Sequence, residues 1–453
     1  GLSMSFYSRA YKLVVGIAAY LCCMSPCMAE KLEEVVKQVV ATNPSILVQT
    51  ARKYEQDNQL RSTIGGYLPK IDFSASYGRD HNVNYFTQIT NQPKGEATLT
   101  KRELGFNIKQ MLFDGFAVRA KVEADSARLQ SSSFNVSGKL EEVILKTTAA
   151  YIDTIMVRSI FMHAKENLDR HQELMNKLDS GATNSAQNGD LELIKSRLSL
   201  AQTRLLDLQR DIRDSQADYI RVVGTKPGTM YRPEAPDSKL PNSEEAAVAV
   251  AISNNPEVQI ASAEIRAARA DKRASKANYF PRFDLEINGT NNNNVDGIKQ
   301  HTNSLSAMLQ MKYNLFRGGE DVALERKSAW AIEEKKQQLK DCTSLIEQNT
   351  RHVWSALVSF KSQLVYLKDR IDSIQKTRDA YYDDFINAER SITELLDAEN
   401  ELYTAKADYV TAQYKELLSR FMLLQSMGKL REHFNVQPPV DVAYTPTNWL
   451  NGY

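Results

Sequence analysis

The chain has 453 residues, 25% of them charged, and a formal net charge of +1 at pH 7. This balance creates no overall field that would attract nucleic acid, and no run of like charge is long enough to form an acidic or basic tail. The mean hydropathy of −0.44 is typical of a soluble protein, but it does not exclude a β-barrel, whose alternating strands give a weak hydropathy signal.

Residues 1–29 have the pattern of a secretory signal peptide. Arg9 and Lys12 precede the apolar run LVVGIAAYLCCM, which at about a dozen residues is too short to span a bilayer. Cys27 and Ala29 provide compact residues before the expected cleavage site, so we predict cleavage after Ala29. The alternative is a buried N-terminal helix.

Three of the four cysteines, Cys22, Cys23 and Cys27, lie within this segment. Only Cys342 follows it, so we expect no intramolecular disulfide. Lipidation is not expected either, because none of the three follows a residue suited to that modification. Beyond Ala29 there is no apolar run of about 18 residues, so no transmembrane helix is predicted.

The remaining sequence repeats itself once, with a period of about 200 residues, which is typical of a duplicated fold and too long for a solenoid. KQMLFDG, ending at Gly115, matches KYNLFRG, ending at Gly318. We divide the chain into repeat 1 (30–224), a linker (225–241), repeat 2 (242–430) and an irregular C-terminal tail (431–453). The other matched positions are Asn43-Pro44 with Asn255-Pro256, Tyr67-Leu68-Pro69 with Tyr279-Phe280-Pro281, and Asp72 with Asp284.

Four strands are predicted, two in each repeat. Apolar and polar residues alternate strictly in PKIDFSASYG, RELGFNIKQMLF, PRFDLEING and SLSAMLQMKYNLF. These segments lie within about 67–113 and about 279–316, and polar loops join the strands of each repeat. Pro69 and Pro281 mark the points where a helix ends and an extended segment begins.

Long helices follow the strands in both repeats, over about 115–181 and 190–223, and over about 318–388 and 392–428. From Leu191 to Val222, apolar residues recur at alternating spacings of three and four, the period of a left-handed coiled coil. A helix of about 65 residues would span roughly 100 Å. Helices of this length must pack on one another or on other subunits.

Four strands make only two hairpins, which are marginally stable alone and leave open edges. Several chains can solve this problem by pooling their hairpins into a closed barrel. If the apolar strand faces point outward into lipid, the product is an outer-membrane barrel.

In these features the chain resembles the outer-membrane factor family, the TolC-like channel-tunnels of Gram-negative bacteria. The resemblance covers about 32–430. It is carried by the doubled Asn-Pro, YLPKIDFSASY and YFPRFDLEING, LFDG and LFRGG, and above all SITELLDAENELYTAKADYVTAQYKELLSRFMLLQSMGKL from Ser391. It implies a mainly α fold with β-structure: a homotrimer whose four strands per protomer form a 12-stranded transmembrane β-barrel, continued by a long α-helical coiled-coil barrel.

The resemblance also implies a function. Members of this family are passive exit ducts of tripartite efflux or type I secretion systems, located in the outer membrane and projecting into the periplasm. They dock onto a periplasmic adaptor (membrane fusion protein) and an inner-membrane ABC or RND-type pump. The cargo is left open, because a wide passive duct reads little of what passes through it.

An acidic stripe marks the last long helix. Glu394, Asp397, Glu401 and Asp408 share one face of a helical wheel, opposite an apolar seam that includes Leu395. Most such stripes are solvated surface. The resemblance instead assigns Glu394 and Asp397 to the pore aperture, where a trimer would form two stacked carboxylate rings. Crowded carboxylates would favour cation entry and oppose full ionisation.

The resemblance further implies a lock at the periplasmic entrance, in which an arginine near the second hairpin turn reaches an aspartate near the first. Arg390 and Asp190 match those positions, although each can equally be an exposed charge worth about 0–1 kcal/mol. Phe385 occupies a tyrosine position and has no hydroxyl to donate, and Gly189 replaces an expected threonine. The lock is therefore expected to have fewer links. The turns DSGATNSAQNG and NAERS are the expected adaptor-docking tips.

The sequence offers no basis for enzyme activity. The motifs GxxxxGK[ST], HExxH and GxSxG are missing, and no histidine has a partner at metal-ligand spacing. We therefore expect no catalytic, cofactor or metal site. The main alternative is a soluble periplasmic coiled-coil adaptor or scaffold, which would explain the helices and the signal peptide but not four amphipathic strands in two repeats.

Overall fold

The structure of the chain is a computed structural model that describes residues 30–181 and 189–438. The predicted signal peptide, most of the first predicted docking turn and the last part of the predicted tail lie outside the described residues. The described elements are α1 (Leu32–Thr42), α2 (Pro44–Ile64), β1 (Lys70–Asn82), α3 (Tyr85–Thr90), β2 (Ala97–Phe113), α4 (Ala117–Asp179), α5 (Asp190–Val223), α6 (Glu244–Asn254), α7 (Pro256–Ser275), β3 (Arg282–Asn293), β4 (His301–Lys312), α8 (Glu320–Ile386), α9 (Ile392–Ser426) and α10 (Leu430–His433).

The chain is mainly helical and forms two compact units, each built from parts of both repeats. The strand unit comprises 51–135 and 257–343, and the hairpin unit comprises the described parts of the chain up to 50, over 136–256 and from 344 onward. Helices α2, α4 and α8 run from one unit into the other.

The four predicted strands are confirmed, and they form one antiparallel sheet in the order β1-β2-β3-β4. The sequence analysis treated them as two separate hairpins. The structure joins the hairpins through β2 and β3, in a register that pairs Ile108 with Ile287. Strands β1 and β4 are therefore the open edges of the sheet.

The sheet has one apolar and one polar face. On the edge strand β1, Phe73 is 72% exposed and Tyr77 is 80% exposed. On the opposite face, Lys109 forms ion pairs with Glu286 at 2.7 Å and with Asp284 at 3.5 Å. The side chains that a sheet usually buries in a protein core are thus exposed, while the charged side chains satisfy one another.

The doubled Asn-Pro motif has the same geometry in both repeats. Asn43 and Asn255 are extended because proline disfavours the helical conformation in the residue before it, while proline itself is well suited to start the next helix. The Asn43 side-chain amide donates to the Val222 carbonyl at 3.4 Å, and the Asn255 amide donates to the Ser426 carbonyl at 3.0 Å. Each short helix is thereby tied to the end of a long one.

The first residues of the predicted irregular tail are ordered by packing. A buried carboxylate, Glu141 on α4, accepts the backbone N–H groups of Leu430 at 3.0 Å and Arg431 at 2.9 Å, at the start of α10. Phe434 stacks on Phe421 with 6.0 Å between ring centroids. The tail was predicted to be irregular from its prolines, but these lie after the segment that Glu141 and the aromatic pair hold in place.

Burial raises the pKa of Glu141 to about 7 from an ordinary value of 4.5, although the two backbone N–H bonds oppose this shift. A carboxyl group whose pKa is raised on folding contributes stability that is complete below its ordinary pKa and is lost as the pH rises through 7. Between those limits the loss should be about 3 kcal/mol. Glu141→Gln, which stays neutral, should remove this part of the pH dependence.

Thermal or denaturant unfolding at about pH 5 and about pH 8 would measure this. The adjacent Glu142→Gln provides a matched control, because Lys139 and Lys146 lower the pKa of Glu142. That variant should retain the wild-type loss of stability towards alkaline pH. A Glu141→Gln protein with the wild-type pH dependence would contradict the assignment.

Candidate functional site at the hairpin turns

The described ends of α4, α5, α8 and α9 nearest the hairpin turns meet at a buried apolar cluster in the hairpin unit. Phe385, which the resemblance placed in the entrance lock, is only 1% exposed within this cluster. Its role in the described residues is therefore apolar packing. The buried members of the cluster are Leu174, Leu178, Ile194, Phe385, Ile392, Leu395 and Leu396.

Glu394 belongs to the N-terminal cap of α9. The Ser391 hydroxyl accepts the backbone N–H of Glu394 at 3.4 Å and donates to the Glu394 carboxylate at 2.9 Å. Serine followed by glutamate three residues later is the sequence pattern of a capping box, which explains why the helix begins here. The same carboxylate is half exposed, so it both caps the helix and faces solvent.

Arg390 is held by several groups of its own hairpin. Its guanidinium donates to Asp384 at 3.1 Å and to Glu394 at 2.8 Å, and it lies 3.8 Å from the centroid of the Tyr381 ring. Asp190 is the first residue of α5, where a negative charge favours the helix N-terminus. The pairing of Arg390 with Asp190 stays a prediction, while Asp384 and Tyr381 are partners that the sequence analysis missed.

The second predicted aperture residue, Asp397, accepts a hydrogen bond from Arg197 of α5 at 2.9 Å. Seven residues later, Arg204 bonds to Asn400 and lies 5.7 Å from the centroid of the Tyr403 ring. Two arginines therefore join α5 to α9 along the coiled-coil seam. The sequence analysis did not identify Arg197, although its spacing of seven from Asp190 was a signal that could have found it.

The predicted separation of acidic and apolar faces is present in the structure. Glu394, Asp397, Glu401 and Asp408 are exposed, whereas Leu395 and its apolar neighbours Leu396 and Leu402 are buried. Three of the four acids have an arginine partner in the same chain, since Arg370 donates to Asp408 at 2.9 Å.

Electrostatics within one chain favour ionisation of Glu394. The Ser391 hydroxyl bond, together with the nearby Arg390, lowers the pKa of the Glu394 carboxyl below its ordinary value. The crowding of like charges expected for a ring would act in the opposite direction, and it requires further copies of the chain.

Polar links also lie near the apolar cluster, one within the α8–α9 hairpin and two between that hairpin and α4. Arg378 of α8 pairs with Glu399 of α9 at 3.2 Å, and burial raises the pKa of Glu399 in spite of this partner. Asn167 of α4 donates to the Glu399 backbone carbonyl at 3.2 Å. The Lys177 ammonium of α4 also bonds to the Tyr382 hydroxyl of α8. The bonds from Asn167 and Lys177 of α4 therefore connect the two hairpins.

Within 30–181 and 189–438, no cluster of histidine, cysteine, aspartate and glutamate has the arrangement of a metal site. The helices of this described part also include none with the length and apolar composition of a membrane span.

Comparisons with known proteins agree with the resemblance. The family model described as outer membrane efflux protein matches residues 247–429. The outer membrane efflux protein BepC of Brucella suis is 22% identical over 382 residues, which are 83% of this chain and 80% of that protein. The outer membrane protein TolC of Vibrio cholerae is 21% identical over 433 residues, covering 89% of this chain and 92% of that protein.

Among solved structures, the Campylobacter jejuni CmeC outer membrane channel has the same fold. It superposes with a TM-score of 0.76 over 88% of this chain and 86% of that chain, at 13% sequence identity. Similarity of fold and of sequence thus extends across both repeats, beyond the segment that the family model matches. Residues 247–429 thus match the outer membrane efflux protein family, and most of the chain is similar to TolC-like outer membrane channels of Gram-negative bacteria.

Proposed function

We propose that this outer-membrane protein is a passive exit duct of a tripartite efflux or type I secretion system, and that it works as a homotrimer. The observation that carries the proposal is the sheet, which has an exposed apolar face and two open edge strands of 13 and 12 residues. In lipid, each unpaired backbone N–H or C=O group costs several kcal/mol, so the edges must pair. Four strands are too few to close a barrel alone, and three copies provide 12.

The internal repeat supports a specific contact between copies. Gly115 packs against the turn before β3, where an added Cβ would lie 2.6 Å from the Ala277 carbonyl and 2.9 Å from the Phe280 Cβ. Its counterpart Gly318 has no such neighbour within 4 Å. By the repeat offset, the residues equivalent to Ala277 and Phe280 are Gly65 and Leu68. We expect Gly318 of one copy to meet that turn of the next.

Helix α8 also needs a partner that a single chain does not provide. Only Ile346, Thr350, Leu357 and Phe385 are buried among its 67 described residues. The described helix α9, by comparison, buries 17 of its 35 residues. Large apolar side chains are exposed along α8, and packing against another copy would cover them. They are Val322, Trp330, Leu345, Val358, Val365, Tyr366 and Ile386.

Cross-linking tests the trimer. In a Cys342→Ser background, Leu68→Cys combined with Phe316→Cys should give dimers and trimers with a short bis-maleimide, and nothing larger. The repeat-equivalent pair, Phe280→Cys with Phe113→Cys, is the control, because these two rings lie 6.5 Å apart within one chain and should cross-link without changing the molecular mass. Monomers alone, or a ladder beyond trimers, would contradict the arrangement.

At the periplasmic entrance, we propose that Glu394 and Asp397 of three copies form the acidic aperture. In one chain each carboxylate already has an arginine partner, at 2.8 Å for Arg390 and 2.9 Å for Arg197. The ring charge that an entering ion meets is therefore reduced in this conformation. Removing an arginine should strengthen the binding of cations, and removing the acids should abolish it.

Single-channel recording can separate these effects. Glu394→Gln with Asp397→Asn should abolish cation selectivity and block by trivalent cations. Arg197→Gln should instead strengthen the block by about fivefold, since the loss of one exposed ion pair is worth on the order of 1 kcal/mol. Arg210→Gln is a matched control, because Arg210 lies on the same helix and pairs only with its neighbours Asp207 and Asp211. Unchanged selectivity in the double variant would dispose of the aperture.

The lock makes a separate prediction. Arg390→Glu places a carboxylate against Asp384 and Glu394 and removes the predicted bond to Asp190 of the other hairpin, so the entrance should loosen and the resting open fraction should rise about fivefold or more. Asp190→Asn and Asp384→Asn identify the partner that matters. An increase with Asp190→Asn supports the predicted link between the hairpins, whereas an increase with Asp384→Asn alone assigns the effect to the bond within one hairpin. Wild-type conductance in Arg390→Glu would rule out the lock.

The proposal includes partners but no catalytic role. The hairpin turns would dock onto a periplasmic adaptor, and an inner-membrane ABC or RND-type pump would supply the energy. A soluble scaffold is disfavoured by the exposed apolar sheet face, which has no use in water. Recovery of heat-resistant trimers from the outer-membrane fraction would support the duct, and a soluble monomer would reject it.

A further inference from the structure

A groove of about 470 Å³ lies in the strand unit, where α4 begins and α7 ends. It combines aromatic and basic side chains in a small area. Gly115 before α4 and Ala120 on α4 leave the space open, and six larger side chains define its chemistry. These are Phe116, Arg119, Glu123, Arg273, Lys276 and Phe280.

The aromatic end of the groove continues the apolar face of the sheet. A register shift after Met111 pairs Phe113 with Phe283. Phe283 lies on the same face of β3 as the apolar residues Leu285 and Ile287, because they follow it at intervals of two residues. The Phe113 ring lies 5.3 Å from that of Phe116 and 6.5 Å from that of Phe280. A molecule in the groove can therefore extend directly onto the apolar face.

Phe116 is held in an unusual backbone conformation. Its φ of 67° is in the left-handed region, which a bulky side chain rarely adopts. Nevertheless its ring is 55% exposed and fills no core position. A strained residue that presents an aromatic ring to the surroundings indicates a contact outside the chain.

The other end of the groove carries excess positive charge. The side chains of Arg119, Arg273 and Lys276 are 69%, 56% and 51% exposed. Glu123 is the acid that lines the groove, and it pairs with both arginines. Lys276 in turn pairs with Glu325 of α8 at 3.3 Å. Three cations therefore face two carboxylates, and the groove keeps a net positive charge that suits a further anion.

We propose that this groove binds the phosphate headgroup of a phospholipid of the periplasmic leaflet, with the acyl chains lying on the apolar sheet face. The inference rests on the proposed function, because it requires that face to contact lipid. Aromatic rings at the level of the headgroups, followed by basic side chains, suit the boundary between hydrocarbon and water. A free phosphate would use the cations but not the rings, and a second copy would instead use the open edges β1 and β4.

Native mass spectrometry of the purified trimer with phosphatidylglycerol tests the proposal. Arg119→Gln/Arg273→Gln/Lys276→Gln should weaken lipid binding by roughly tenfold. Lys335→Gln/Lys336→Gln/Lys340→Gln removes the same charge from α8 and should bind lipid as the wild type does. Millimolar inorganic phosphate should not compete. Equal affinities in both triple variants, or displacement of the lipid by phosphate, would overturn the proposal.

A second variant protects the test against misfolding. Phe116→Asn removes the ring but keeps a residue that tolerates positive φ, and it too should weaken lipid binding. Conductance in planar bilayers separates the two levels of inference. Variants that conduct normally and bind lipid with wild-type affinity would reject only the lipid site, whereas a wild-type protein that forms no channel would reject the proposed function.

Discussion

Hydrocarbon offers no hydrogen-bond partners, so every backbone N–H and C=O group of a strand in the membrane must pair with another strand. Within this chain β1 pairs with β2, β2 with β3 and β3 with β4. One row of backbone N–H and C=O groups is left open on β1 and another on β4. The apolar residues of the same strands are exposed on one face of the sheet, which is unfavourable in water. The proposed assembly follows from these two facts together. The two hairpins of one chain already pair with each other through β2 and β3, so the edges β1 and β4 need strands from other copies.

The long helices must also satisfy their buried groups, and they do so by side-chain packing and polar pairs. In the hairpin unit, an apolar cluster at the turns is supported by buried polar links such as Arg378 with Glu399. A buried ion pair contributes little net stability, but it is costly to break into single charges, so it favours one packing of α8 against α9. The exposed charges of the same helices differ, because losing a partner costs them little. Glu394 and Asp397 can exchange their arginine partners for solvent ions at small cost, which suits a region proposed to open.

Periodicity made the strands and long helices predictable, because alternation over ten residues or a strict three-four spacing over thirty is difficult to reconcile with any other structure. Periodicity could not predict that β2 pairs with β3, because alternation shows which face of a strand is apolar but not which strand lies beside it. The short helix α3 was also missed within a stretch described as a polar loop, although Asn84 and Thr87 form a capping box there.

For the candidate site, the sequence identified the acids and Arg390 but not what they contact. Arg197 and Asp397 are 200 positions apart, and their pairing depends on how two hairpins pack. At Phe385 the family pattern, and not the contact, was the misleading part. A family pattern indicated a polar role for its position, while the side chain present can only pack in a core.

Duplication has one more consequence. The joint at Gly115 is formed within a single polypeptide. In the proposed trimer, the equivalent joint at Gly318 would form only when two copies meet by diffusion. Half of the seams in the finished ring would therefore be closed as soon as each chain folds, and only the other half would depend on protein concentration. Dilution, detergent or a substitution at Gly318 should therefore open the contacts between copies first. The contacts within each chain should persist in the separated subunits.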